Sequence, residues 1–122
     1  MLPSVKLSNF AWKNQGNLNF KNEAISLGLD QESYSNGSAY ADLDNDGDQD
    51  LMCGDFSGNF SYFENTGTNL APSFAAVQTN PFSLAAVLTY SAPTFADLDM
   101  DGDLDLVSGS SNGAINYFLN TG

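Results

Sequence analysis

Two stretches of this sequence are nearly the same: DLDNDGDQDL from Asp42 to Leu51, and DLDMDGDLDL from Asp97 to Leu106. Each sets five aspartates on alternate positions, with a glycine after the third. Carboxylates at that spacing repel one another at neutral pH, so chain folding alone gives no reason to gather them. A hard cation does. Calcium takes about six to eight oxygen ligands, and a loop with acids at positions 1, 3, 5 and 9 offers them.

In the first loop Asp42, Asp44 and Asp46 are positions 1, 3 and 5, Gly47 is position 6, and Asp50 is position 9. Position 6 must turn sharply, and a Cβ there would be in the way. Asp48, at position 7, is expected to give its backbone carbonyl. The second loop repeats the set with Asp97, Asp99, Asp101, Gly102, Asp103 and Asp105. An EF-hand needs a glutamate at position 12 and flanking helices. Here position 12 is Cys53 or Ser108, and the flanks AYAD, DLMCG, TFAD and DLVSG are short, apolar and strand-like. The pattern is that of a calcium loop between strands, about one ion per loop. A metal-free acidic turn would explain neither the glycine position nor the duplication.

The rest of the composition narrows the chemistry. Net charge is −12, and ten of the fifteen acids lie in the two loops, so the charge belongs to the metal sites more than to a generally acidic surface. The only basic side chains are Lys6, Lys13 and Lys21. That excludes a nucleic-acid ligand and an anionic lipid surface, both of which need clustered Lys and Arg. Histidine is absent, which removes His-dependent nucleophilic catalysis and His-ligated zinc or iron. The remaining acids, Glu23, Asp30, Glu32, Asp55 and Glu64, do not recur between the repeats and show no spacing that marks a facing catalytic pair. Cys53 cannot form an intrachain disulfide and reads as a small buried residue. No apolar run is long enough to span a bilayer, and no leader is visible in these residues.

The elements that must position the loops follow from a longer repeat. AYADLDNDGDQDLM matches TFADLDMDGDLDLV, and YFENTG (Tyr62–Gly67) matches YFLNTG (Tyr117–Gly122) at the same offset of 55 residues. AWKNQG (Ala11–Gly16) is a weaker third copy of that ending. Cutting after each Asn-x-Gly gives residues 1–16 as the tail of a partial repeat, 17–67 as a repeat holding the loop 42–50, and 68–122 as a repeat holding the loop 97–105. Each full unit reads as about four short strands separated by Gly, Asn, Pro and Asp turns. In the last unit they fall over Ser73–Val77, Ala92–Ala96, Leu104–Gly109 and Ala114–Leu119, and residues 22–29 read as one turn of helix. The aromatics recur in step: Tyr62 and Phe63 with Tyr117 and Phe118, Tyr40 with Phe95, Phe20 with Phe74. Packing between sheets is their simplest role, and Trp12, equivalent to Phe63 and Phe118, reads as core as well.

ADLDxDGDxDL followed by a glycine-containing strand and YFENTGT resembles the FG-GAP/VCBS-type repeat of bacterial β-propellers. FKNEAISLGLDQESYSNGSAYADLDNDGD is also similar to blades that adjoin ASPIC/UnbV modules, and integrin α-chain propellers carry a related loop. The resemblance implies an all-β fold of propeller blades, with calcium held by loop positions 1, 3, 5 and 9. It implies no single activity, because such propellers serve adhesion, carbohydrate binding, polysaccharide lyase chemistry and scaffolding.

A propeller closes with about 4 to 8 blades, so just over two repeats make an incomplete one. Two architectures remain: a section of a longer propeller, or several identical chains assembling a ring. The repeats supply two strands of one unit, four of the next and three of the last, where two four-stranded blades need eight. In a ring of identical chains the strand around Val5–Trp12 would therefore compete with Ala114–Leu119 of the neighbour. Two functions remain as well. One is a non-catalytic extracellular or cell-surface binding, adhesion or assembly module with structural calcium, its partners further blades, identical chains, or a glycan or protein ligand. The other is the propeller domain of a polysaccharide-active enzyme whose chemistry lies outside this segment.

Overall fold

The computed structural model describes residues 6–122. The chain is all-β apart from one helical turn. The elements are β1 (Leu7–Ser8), β2 (Trp12–Asn14), β3 (Phe20–Asn22), α1 (Ala24–Leu27), β4 (Glu32–Ser33), β5 (Ser35–Ala41), β6 (Asp50–Asp55), β7 (Phe60–Phe63), β8 (Gln78–Thr79), β9 (Ala92–Ala96), β10 (Asp105–Gly109) and β11 (Ile115–Phe118). The expected helical turn at 22–29 is α1. It is stopped by Gly28 in the left-handed conformation, whose N–H caps the Ile25 carbonyl.

Strands β5-β6-β7-β8 form a four-stranded antiparallel meander, β9-β10-β11 a three-stranded one, and β2-β3 a hairpin. These sheets hold two, four and three strands, the nine that the repeats supply, and β1 with β4 adds a further pair; among the described residues the sheets do not close into a ring. The pairing of β1 with β4 was not legible in the repeat. The four-stranded sheet runs across the Asn-x-Gly at residue 67, so the sequence repeat and the hydrogen-bonded sheet are out of phase.

The two large sheets are built alike. Met52 pairs with Tyr62 and Gly54 with Phe60; 55 residues later Val107 pairs with Tyr117 and Gly109 with Ile115. Side chains alternate faces along a strand. Met52, Phe60 and Tyr62 share one face of the first sheet, and they pack with Val87 and with Leu106, Phe95 and Phe118 of the second. Phe60 meets Phe118 edge to face, ring centres 5.7 Å apart. The linker from β8 to β9 closes the side of this core. Its Val87 and Ser91 carbonyls lie where a Cβ on Gly58 or Gly54 would stand, so only glycine lets the linker approach.

Three expectations need correction. Ser73–Val77 is not a strand. The Phe74 N–H donates to the Leu27 carbonyl at 3.0 Å and the Ser73 N–H to Asn65 Oδ1 at 3.0 Å, which removes both from a continuous ladder. A lone bridge between Asn65 and Phe74 and the short β8 remain. The long strand over Val5–Trp12 begins at Val5, outside the described residues; within them the segment breaks into β1 and β2. Trp12 is not core but 61% exposed, because β2-β3 is a two-stranded hairpin with every residue exposed. Likewise Tyr40 is 74% exposed and Phe20 is exposed, while Tyr62, Phe63 and Cys53 are buried.

Candidate metal centre

Each acidic loop joins the first two strands of a large sheet, and each is closed by an alanine–aspartate pair: Ala41 with Asp50, and Ala96 with Asp105. Within each loop two residues turn left-handed, Asn45 (φ 62°) and Gly47 (φ 95°) in the first, Met100 (φ 65°) and Gly102 (φ 102°) in the second. That fold turns backbone N–H groups inward onto side-chain carboxylates. Asp42 Oδ1 accepts from the Asp46 N–H at 3.1 Å and its Oδ2 from the Gly47 N–H at 2.9 Å. Asp44 Oδ1 accepts from the Asp46 N–H at 3.2 Å, and Asp46 Oδ1 from the Asp48 N–H at 2.9 Å. The second loop repeats three of these: the Gly102 N–H to Asp97 at 3.1 Å, the Asp101 N–H to Asp99 at 3.3 Å, and the Asp103 N–H to Asp101 at 3.0 Å.

Oxygens of Asp42, Asp44 and Asp50 lie within 4.8 Å of one another, as do those of Asp97, Asp99 and Asp101. The loops therefore differ in which acid completes the group, Asp50 in one and Asp101 in the other. Asp46 and Asp105 stand outside their groups in side-chain position, as do Asp48 and Asp103. A donor set made only of carboxylates and carbonyls suits a hard cation rather than a soft metal.

Asp50 and Asp105 are the anchors. Asp50 is 1% exposed, and its carboxylate accepts from the Leu43 N–H (3.0 Å), the Tyr62 hydroxyl (3.0 Å) and the Asn65 N–H (2.8 Å). Asp105 is fully buried and accepts from the Leu98 N–H (3.1 Å), the Tyr117 hydroxyl (2.9 Å) and the Asn120 N–H (2.9 Å). A carboxylate has about four lone-pair sites, so three hydrogen bonds leave one site open on each. Tyr62, Asn65, Tyr117 and Asn120 bond to the loop aspartates, contacts that the motif alone did not reveal. The available signal was spacing: in both repeats the tyrosine is 12 and the asparagine 15 residues after the anchoring aspartate. The asparagine side chains do turn the chain, Asn65 Oδ1 accepting from Gly67 and Asn120 Oδ1 from Gly122.

The charge shows in the ionisation of the loops. Loss of hydration, joined by the negative charges of Asp50, Asp46 and Asp42, raises the Asp44 carboxyl above its ordinary value, against the pull of the Asp46 N–H. Asp99 is raised in the same way, with Asp101 and Asp105 as its negative neighbours. Asp105 is lowered, chiefly by the Asn120 N–H. Partial desolvation and then the bond to Asp105 push the Tyr117 phenol up to about 12, and burial followed by Asp50 raises Tyr62 further. Both loops border one cleft, lined by Asp42 and Asn45 from the first and by Gly102 and Asp103 from the second.

A protein-family model described as "FG-GAP-like repeat" matches residues 42–108, from the first loop through the second. The chain is also 32% identical over 99 residues to cartilage acidic protein 1 of Xenopus tropicalis, an alignment that covers 80% of this chain and 15% of that protein. This chain thus corresponds to a small part of that relative's length. With the family match spanning more than half of its residues, the chain belongs to the FG-GAP-like repeat family.

Proposed function

We propose that this chain is a calcium-binding segment of a β-propeller, a non-catalytic extracellular or cell-surface module for binding, adhesion or assembly in which calcium is structural. The observation that carries the reading is the doubled anchor: in each repeat a buried loop aspartate is fixed by a tyrosine hydroxyl and an asparagine N–H from the same sheet and the turn after it. The anchor ties a cluster of repelling carboxylates to the fold, so an ion that relieves the repulsion stabilises the fold. Loops of this kind with dissociation constants near 10⁻⁴ to 10⁻³ M work where calcium is millimolar, outside cells. The relative's name places that protein in cartilage, and its acidic character matches the net charge of −12 here.

The partners in this reading are further blades, in the same polypeptide or in identical chains. The second sheet supports it: Ile115 is 79% and Tyr117 48% exposed, whereas their repeat equivalents Phe60 and Tyr62 are buried under the second sheet. Titration calorimetry with calcium should show two ions per chain, and chelator should lower the melting temperature. At a hundredfold excess over the dissociation constant the stabilisation is about 2.7 kcal/mol per site. A melting temperature indifferent to chelator would remove the calcium reading.

A further inference from the structure

The first loop is gripped from a side its own motif does not supply. Residues 66–73 form a tight hairpin in which Thr68 and Ala71 exchange backbone hydrogen bonds across a two-residue tip, Asn69 and Leu70. Asn69 reaches the far limb of the metal loop with both backbone and side chain. Its Nδ2 donates to the Gly47 carbonyl at 2.8 Å, its Oδ1 accepts from the Gln49 N–H at 2.9 Å, and its own N–H donates to Asp48 Oδ1 at 2.8 Å. The base of the hairpin is tied to the same loop, because the Asn65 N–H donates to Asp50. In the second loop the equivalent limb is held by Asn120, whose Nδ2 donates to the Leu104 carbonyl at 3.3 Å.

These three bonds have a directional consequence. With its carboxylate engaged by Asn69, half-buried Asp48 has its backbone carbonyl left as the donor at position 7. With the Gly47 carbonyl and the Gln49 N–H both taken, the limb from 47 to 49 is fixed in the turn. We propose that Asn69 is the positioning residue of the first calcium loop, and that calcium at that loop and the hairpin 66–73 order together. The inference rests on the calcium reading above and adds that one residue outside the motif sets the affinity of the first site.

The test is calcium calorimetry on the 122-residue chain together with amide exchange at Asn69 and Gln49. Outer-shell partners of metal ligands commonly contribute about 10–100-fold in affinity. Asn69→Ala should therefore weaken the first site by that range, leave the second unchanged, and keep the Gln49 and residue-69 amides in fast exchange when calcium is added. Leu70→Ala, beside it at the tip and 95% exposed, should change neither site. Asp48→Asn retains an oxygen acceptor for the Asn69 N–H and should bind nearly as the native chain does, while Asp48→Ala should weaken the first site. If the native chain binds no calcium, the functional reading itself falls. If it binds two ions and Asn69→Ala binds both with native affinity, or if Asp48→Asn loses the first site as fully as Asp48→Ala, the positioning role is overturned.

Discussion

A carboxylate as deeply buried as Asp50 is tolerated only when its oxygens are satisfied, and Tyr62 supplies the one side-chain donor among its three partners. Tyr62→Phe leaves that oxygen short of a bond at unchanged volume, a loss of about 1–3 kcal/mol. Tyr117→Phe should lose less, because Tyr117 is 48% exposed and its bond to Asp105 is less buried than that of Tyr62 to Asp50. Urea denaturation of both variants in saturating calcium measures the difference; equal losses would mean that the two anchors are alike. The loop acids also set a pH dependence. Asp44 and Asp99 have raised values in the folded chain, so the metal-free fold gains stability from them as pH falls through those values. Asp105 is lowered, so its contribution is present above 3.8 and lost as pH falls through its folded value. Protons also compete with calcium. The gap in melting temperature between calcium-loaded and chelated protein should therefore narrow from about pH 7 to about pH 4, and a gap that widened would contradict this ionisation pattern. At this scale the aspartates and glycines of the loops were legible because their spacing has no other physical use. The tyrosines and asparagines that anchor them were not, because an aromatic with a polar tip looks like packing until its hydroxyl is placed.

The two glycines after each loop behave differently in the two sheets. Gly54 and Gly58 are pressed by the Ser91 and Val87 carbonyls, while their equivalents 55 residues on, Gly109 and Gly113, have nothing within 4 Å of an added Cβ. Gly54→Ala should drive the linker off the sheet and destabilise by about 1–3 kcal/mol. Gly109→Ala, in an ordinary strand conformation with open space, should be neutral or slightly stabilising. Thermal melts of the pair decide it, and similar losses would mean that the linker does not pack as described. β9 was read at its observed bounds, and β10 and β11 to within a residue, since apolar runs beside fixed turns leave little freedom. Ser73–Val77 was misread because alternation there competes with hydrogen bonds to Leu27 and Asn65, partners distant in sequence.

Taken whole, the molecule offers one blade interface satisfied and one open. The first sheet buries Met52, Phe60 and Tyr62 against Leu106, Phe95 and Phe118, and on the matching face of the second sheet Ile115 and Tyr117 are exposed among the described residues. A head-to-tail contact of this kind repeats until a ring closes. In solution the chain should self-associate through Ile115 and Tyr117, and Ile115→Asp should reduce association without lowering the melting temperature. Sedimentation velocity of the two proteins checks this; a native chain that is monomeric at all concentrations would speak for a closed two-sheet sandwich. That the chain is built of blades was legible from its period. How they meet was not, because the same residues are core or surface according to what lies beside them, as Phe63 (3% exposed) and Trp12 (61%) show.

Because both loops border one cleft, with Asp42 on one side of it and Asp103 on the other, the two acidic segments face a common space. The emptied molecule is thus electrically lopsided, and each ion that enters cancels two charges at the same place. Occupancy changes the molecule's dipole as well as its net charge, and electrophoretic mobility would register it. Each loop holds five aspartates, so one ion per loop weakens its repulsion from a polyanionic surface without abolishing it. In physiological salt that difference acts only over the last ~8 Å of approach, where screening no longer hides the field.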